Sequence, residues 1–228
     1  MLFLLVRKSS FLNFSEIFSD DIRSLFYLNK NYQENQDIAK YLGLLPTMFA
    51  VPEQVHSSNV ICIDKPGTYN NTDGLITNNP NVILTLKVAD CVPIYLYANK
   101  SKIIGLVHAG WRGTIGGIIS NSIEKMIQLG ADRKEINIFL GPSIGFCCYK
   151  VDNDVADYFN SNAKIKLKDG KWKIGMREQI NSMLIKLDIS PKNIKISNLC
   201  TFETVDYHSY RRDGINSGRM VALMSLQT

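Results

Sequence analysis

Four short runs of apolar, largely β-branched residues, 82–88, 92–97, 102–107 and 136–140, lie between turn signals in the middle of the chain. Each is short for a helix and follows strand composition. Each is also too uniformly apolar to leave one face in water, so together they specify a sheet covered on both sides. Asn99-Lys100-Ser101 separates the second run from the third, and Gly141-Pro142 halts the fourth. Between them, Ile115, Ile118, Ile119, Ile123, Met126 and Ile127 recur at helical spacing and Gly130 supplies the stop. Segments 152–159 and 176–187 read as further helices. Segments 59–64, 192–199 and 220–226 read as strands, the first closed by the turn Lys65-Pro66-Gly67. The least decided region is 13–43, where Asp20-Asp21 and 29–35 read as loop and 34–42 as a short helix. The elements alternate without a regular βαβ period, so an α+β domain fits better than a Rossmann or TIM architecture. At 228 residues the expectation is one domain spanning 1–228.

Charge and cysteine use narrow the class of function. The formal charge of +5 permits an anionic ligand, but the Lys residues are scattered, and no nucleic-acid partner is expected. Residues 1–6 are apolar and Arg7-Lys8 follow at once, the reverse of a signal peptide's order, so an N-terminal strand is expected. No apolar run reaches the length of a membrane span, so no membrane partner is expected. Five Cys, an odd number in a chain of this size, argue for reduced thiols and a cytoplasmic setting. A monomer is expected.

The chain has three His, too few for a multi-copper oxidase cluster but enough for a zinc site with three protein ligands. His56 in QVHSSN, Cys91 in ADCVP and His108 in VHAGWRGT each lie near a strand end, where adjacent strands can bring them together. Zinc on two imidazoles and a thiolate keeps a fourth position open, and water held there is acidified. Copper can sit on the same donors, but not as a multi-copper cluster. The opposing reading is ordinary packing for Cys91 and hydrogen-bonded structural roles for the imidazoles. Arg112, in the Gly-bracketed turn after His108, is a candidate for stabilising an anion; Trp111 beside it reads as packing. Gln54 is a candidate hydrogen-bonding group beside the metal. Asp73, in TDG, reads first as an Asx-turn residue and second as a general acid or base. In GPSIGFCCY (141–149), a strand would turn one of Cys147 and Cys148 inward and leave the other to the cleft, with Cys147 the candidate substrate contact. Arg211 and Arg212 in YHSYRRDG, with Arg219, either hold a phosphate or pair with Asp206 and Asp213.

QVHSSNV, TDGLIT, ADCVPIYL, VHAGWRGT, GPSIGFCCYKV and SYRRDG followed by SGRM, in this order, resemble the YfiH-like family. Its members have been labelled laccase-domain proteins, polyphenol oxidases and purine nucleoside phosphorylases. The resemblance spans 49–226. It implies a four-layer α/β/β/α sandwich with mixed sheets, zinc on His56, Cys91 and His108, and small-molecule partners, a purine nucleoside and phosphate. The activities implied are phosphorolysis of adenosine, inosine and methylthioadenosine, and deamination of adenosine. A related reading from the same family is editing of a peptidoglycan precursor. Two other classes stand beside it: a cysteine hydrolase with Cys91 as nucleophile and His108 as base, and a non-catalytic zinc-stabilised binding protein. The family's glycine-rich GGVS stretch is missing from 18–30, and Glu34-Asn35-Gln36 has Gln where the family has Arg. Leu28-Asn29 matches the family's Ser-Leu-Asn element only in part. These departures point to a shortened loop over the site.

Overall fold

The computed structural model describes residues 7–8, 11–28 and 35–227. The strand expected at 1–6, Asn29, the loop that follows it and the first residue of the 34–42 helix lie outside the described residues.

Two mixed sheets make up the body. The seven-stranded sheet runs in space Arg7–Lys8, Phe11–Asn13, Ile22–Tyr27, Met220–Leu226, Ile83–Val88, Phe49–Pro52, Gly67–Tyr69. Its pairings are antiparallel up to Ile83–Val88 and parallel thereafter. The six-stranded sheet runs Ile194–Ile196, Ile136–Leu140, Val92–Ala98, Ile103–Ala109, Gly74–Thr77, Val60–Cys62, with parallel pairs at its two edges. A small three-stranded sheet, Lys150–Val151, Trp172–Ile174, Lys164–Lys166, stands beside them.

The alternation of side chains along these strands separates three cores. Between the sheets, Tyr95, Tyr97, Ile104, Leu106 and Phe139 from one meet Phe14, Phe26, Leu84, Leu86 and Ala222 from the other. The Phe14 and Phe139 rings lie 4.6 Å apart, and the buried Tyr95 hydroxyl donates to the Leu25 carbonyl at 2.9 Å. Neighbours of opposite parity, Val92, Ile94, Leu96 and Val107, pack on the helices Ile118–Gln128 and Met176–Lys186. On the far side of the seven-stranded sheet, Leu25, Tyr27, Val221 and Leu223 cover the helix Asn35–Leu42 through Ile38 and Ala39. The layers therefore stack as helix, sheet, sheet, helices.

The expected helix over 115–127 is two helices, Trp111–Ile115 and Ile118–Gln128, because Gly117 takes φ 95° between them, a left-handed conformation that glycine adopts without steric cost. The helix expected over 152–159 is only Asn153–Ala156, and the strand over 192–199 only Ile194–Ile196. Around Cys147 and Cys148 the chain is a turn, not a strand: Cys148 and Tyr149 both donate their N–H groups to the Gly145 carbonyl, at 3.0 and 3.1 Å. The inward-outward alternation expected of those two thiols does not apply there. Among the described residues no helix is long and apolar enough to cross a membrane.

Candidate metal centre

Strand register gathers the site. Antiparallel pairing of Val92–Ala98 with Ile103–Ala109 sets His108 opposite Pro93 and Ala109 opposite Val92, so Cys91, one residue before the first strand, lies beside His108. On the other flank, Gly74 pairs with Val107, which brings Asp73 against His108. The His108 N–H donates to the Asp73 carbonyl at 2.7 Å, and its Nδ1 bonds Asp73 Oδ1 at 2.8 Å. The buried Asp73 carboxylate also accepts the N–H groups of Val55, His56 and Ser57, at 3.2, 3.0 and 2.7 Å, and the Ser57 hydroxyl at 2.8 Å. One carboxylate thus folds the loop that carries His56 around the imidazole of His108.

The Cys91 Sγ is 3.9 Å from His56 Nε2, and the two imidazole rings are 4.8 Å apart at 77°. One ligand atom from each of His56, Cys91 and His108 falls within 4.8 Å of the others. Tetrahedral zinc sets nitrogen and sulfur donors about 3.3–3.6 Å apart, so small side-chain shifts complete the set. With its Nδ1 committed to Asp73, His108 has Nε2 left for a metal, the carboxylate–histidine arrangement that orients such ligands. Gly110 makes room: a Cβ there would sit 2.9 Å from His56 Cδ2 and 3.2 Å from Cys91 Sγ. The donors, their support and the space all suit a metal ion.

Electrostatics agree with the geometry. Burial pushes the Cys91 thiol up, but charge and hydrogen bonds from His108 and His56 outweigh it and bring it to about 6. Burial pushes His108 down, while Cys91 and Asp73 together raise it to about 9. Burial also opposes the Asp73 charge, and the bonds from His108 and Ser57 reverse this, so its carboxyl lies below the usual range.

Gln54 uses both ends of its amide on the Lys87 backbone, donating from Nε2 to the carbonyl at 2.7 Å and accepting the N–H at 2.8 Å. It fastens the His56 loop to the strand Ile83–Val88. Exposed Arg112 lies 4.5 Å over the Trp111 ring and forms no ion pair among the described residues. Arg211 stacks 4.9 Å from the Tyr149 ring and donates to the Lys150 carbonyl. Arg212 donates to both oxygens of Asp213 at 2.8 Å and to the carbonyls of Thr201, Phe202, Thr204 and Tyr207. Cys147 lies with Cys148, Cys200 and Glu203 in a second group, and His208 belongs to neither.

Two residues escaped the sequence reading. Asp90 accepts Thr201 Oγ1 at 2.6 Å, Ser209 Oγ at 3.0 Å and the Arg211 N–H at 2.7 Å, tying the Cys91 loop to the arginine turn. Its place directly before Cys91 was the available signal. Tyr149 sits within the electrostatic reach of Cys91, Arg211, Asp90 and Arg112; burial is the main cause that lifts its phenol to about 12. Gln54, His56 and Asp90 all have positive φ, at 57°, 61° and 83°, strained values that cluster at functional sites.

The family model described as multi-copper polyphenol oxidoreductase laccase matches residues 27–227. A purine nucleoside phosphorylase of Deinococcus radiodurans is 33% identical over 192 residues, covering 83% of this chain and 74% of that protein. Adenosine deaminase RL5, from an unknown prokaryotic organism, is 32% identical over 201 residues, covering 80% of this chain and 76% of its own. The crystal structure of the Bacillus licheniformis hypothetical protein YfiH matches with a TM-score of 0.89 at 26% identity, covering 97% of this chain and 98% of that one. Sequence, register and architecture meet in one assignment: the chain belongs to the multi-copper polyphenol oxidoreductase laccase family, the YfiH-like proteins whose six motifs it carries.

Proposed function

We infer that the protein is a zinc-dependent purine nucleoside phosphorylase that also deaminates adenosine. The observation that carries this reading is the convergence of His56, Cys91 and His108 on one point, with Asp73 buried behind them. Relatives named for these two activities support the choice of substrates. His56, Cys91 and His108 would hold the ion, which when bound supplies Lewis-acid polarisation and acidifies water. The multi-copper name of the family does not transfer as chemistry, since three His in the whole chain cannot ligate several coppers.

The chain's own residues then divide the work. In phosphorolysis the C1′–N9 bond of the nucleoside breaks, the base leaves with the electron pair, and a phosphate oxygen bonds C1′. Arg112 offers a guanidinium fork for that phosphate from an exposed position with no carboxylate competing for it among the described residues. Asp73 holds His108 in a single tautomer and, through three backbone N–H groups, holds His56 as well. Tyr149, whose phenol burial holds protonated at neutral pH, stacks against Arg211 within the electrostatic reach of Cys91. In deamination a water oxygen replaces the amino group at C6 and ammonia departs. Turnover of adenosine, inosine and methylthioadenosine, with and without phosphate, on protein of measured metal content tests the assignment. Absence of turnover with full zinc occupancy would overturn it.

A second reading has its own observation. Asp73, His108 and Cys91 stand in the order of a cysteine hydrolase relay, orienter, base and nucleophile. Alkylation separates the two: a zinc-bound Cys91 reacts slowly until a chelator is added, whereas a free nucleophile reacts fast with or without it.

A further inference from the structure

The turn that overturns the strand reading of GPSIGFCCY has a chemical result. In a strand the side chains of Cys147 and Cys148 would diverge; in this turn their sulfurs stand 3.2 Å apart. The loop after Ile194–Ile196 runs alongside, joined by the bridge of Ser143 with Cys200 and by the Thr201 N–H donating to the Ser143 carbonyl at 3.0 Å. Cys200 is thereby buried beside the vicinal pair, and Glu203, three residues on, brings Oε1 to 3.5 Å from Cys148 Sγ. All five cysteines of the chain are free thiols. Three sulfurs and one carboxylate oxygen, all within 4.8 Å of one another, converge here outside the centre already described.

We propose that Cys147, Cys148, Cys200 and Glu203 form a second metal site, built for a thiophilic divalent ion such as zinc and closed by four protein ligands. The separations support it. Tetrahedral zinc places two thiolates about 3.8 Å apart and a thiolate and a carboxylate oxygen about 3.6 Å apart. The observed 3.2 and 3.5 Å need shifts of well under an ångström. The backbone supplies outer support: the Gly145 N–H donates to Cys200 Sγ at 3.1 Å, a bond that stabilises thiolate over thiol. Gly145 is itself required, since a Cβ there would meet Cys147 Sγ at 2.9 Å and Cys200 Sγ at 3.2 Å. Arg177, buried, donates to the carbonyls of Ser197 and Leu199 and fixes the approach to Cys200. Four protein ligands leave no open position, so the site is structural, in contrast to the three-ligand centre. It cross-links the segment that ends in Tyr149 to the one that leads to Arg211, a join separate from the Asp90 hydrogen bonds that tie the Cys91 loop to that same arginine turn.

The test is a Co2+ titration of reduced, metal-free, full-length protein under nitrogen, read by thiolate-to-cobalt absorption and by bound metal per chain. Parent protein should take two equivalents. The His56→Ala/Cys91→Ala/His108→Ala variant should keep one, with the strong near-ultraviolet absorption of several Co–S bonds. Cys148→Ser and Glu203→Gln, made singly in the parent at positions that are not buried, should each weaken the second equivalent at least about tenfold and spare the first. A triple variant that binds no cobalt overturns the proposal, as does a second equivalent unmoved by Cys148→Ser. Because the first centre is scored separately in each titration, its failure and the failure of this site are distinguishable.

Discussion

The Asp90 carboxylate accepts the backbone N–H of Arg211 at 2.7 Å, across 121 residues of chain. The same carboxylate holds Thr201 and Ser209, so the loop that presents Cys91 and the turn that presents Arg211 share one acceptor. Asp90→Asn replaces an acceptor oxygen with a donor facing other donors. It should cost about 1–3 kcal/mol of stability and raise the KM for substrate more than it lowers kcat. Urea unfolding and steady-state kinetics on one preparation check both; a variant with parent stability would show that Asp90 does not join these segments.

Each of His56→Ala, Cys91→Ala and His108→Ala should lose the zinc of the three-ligand centre. Asp73→Asn leaves all three ligands in place but weakens the partner of His108 Nδ1. It should lower metal affinity about 10–100-fold. Competition against a chromophoric chelator measures both effects, and full occupancy of the centre in Cys91→Ala would remove that thiol from the ligand set.

Gly110→Ala should lose metal while keeping the fold. The added methyl meets the His56 ring at 2.9 Å and Cys91 Sγ at 3.2 Å, and little else. Circular dichroism close to the parent with a reduced metal content is the expected pair of results. Parent-like metal affinity would mean that the His56 loop yields freely.

Arg112→Lys should retain zinc and lose much of the phosphorolytic rate, because a Lys keeps the charge but not the fork. The guanidinium stacks on Trp111 and has no carboxylate partner among the described residues, so an exposed ion pair is not what would be lost. Rates at several phosphate concentrations separate a fall in kcat from a rise in KM. Parent-like kinetics would take Arg112 out of the site.

Far from the centre, Asp21 accepts from Ser19, Lys102 and Tyr97, the last at 2.8 Å. Burial alone would raise this carboxyl; the three hydrogen bonds outweigh it and hold it at about 2, below its unfolded value of 3.8. A folded pKa that is depressed contributes stability above the unfolded pKa, and the contribution fades as pH falls through the folded one. Asp21→Asn should therefore be less stable than the parent at neutral pH, and the gap should close between pH about 4 and about 2. Urea midpoints across that range decide it, and a gap that stays constant would contradict the assignment.

The central strands were legible because burial on both faces leaves a continuous apolar run, as in 92–97 and 136–140. Short strands such as Gly67–Tyr69 and Gly74–Thr77 were not, since three or four residues carry too little periodicity. The ligand trio was legible from strand ends, but not what supports it. Asp73 looks in sequence like a turn residue, and only the pairing of Gly74 with Val107 places it behind His108. Arg212 reads in sequence either as a phosphate ligand or as a partner of Asp206 or Asp213, and its donors go to Asp213 and four carbonyls, an arrangement that depends on how the loop 201–207 closes. The thiol cluster was hidden for a similar reason: 52 positions separate Cys148 from Cys200, and only a turn in place of a strand aligns the vicinal pair.

His108 shares the face of its strand with Ile104 and Leu106, which look toward the second sheet, while Val107 and Ala109 look toward the helices. A slip of one residue against Val92–Ala98 would exchange these faces and send the imidazole in among the helices, away from Cys91 and His56. Only chains that have paired in the right alignment can present all three ligands together. On the proposed metal assignment, uptake at this three-ligand centre during refolding is a proofreading signal for the central sheet, and the fraction of chains with that centre filled counts those whose strands have zipped in frame.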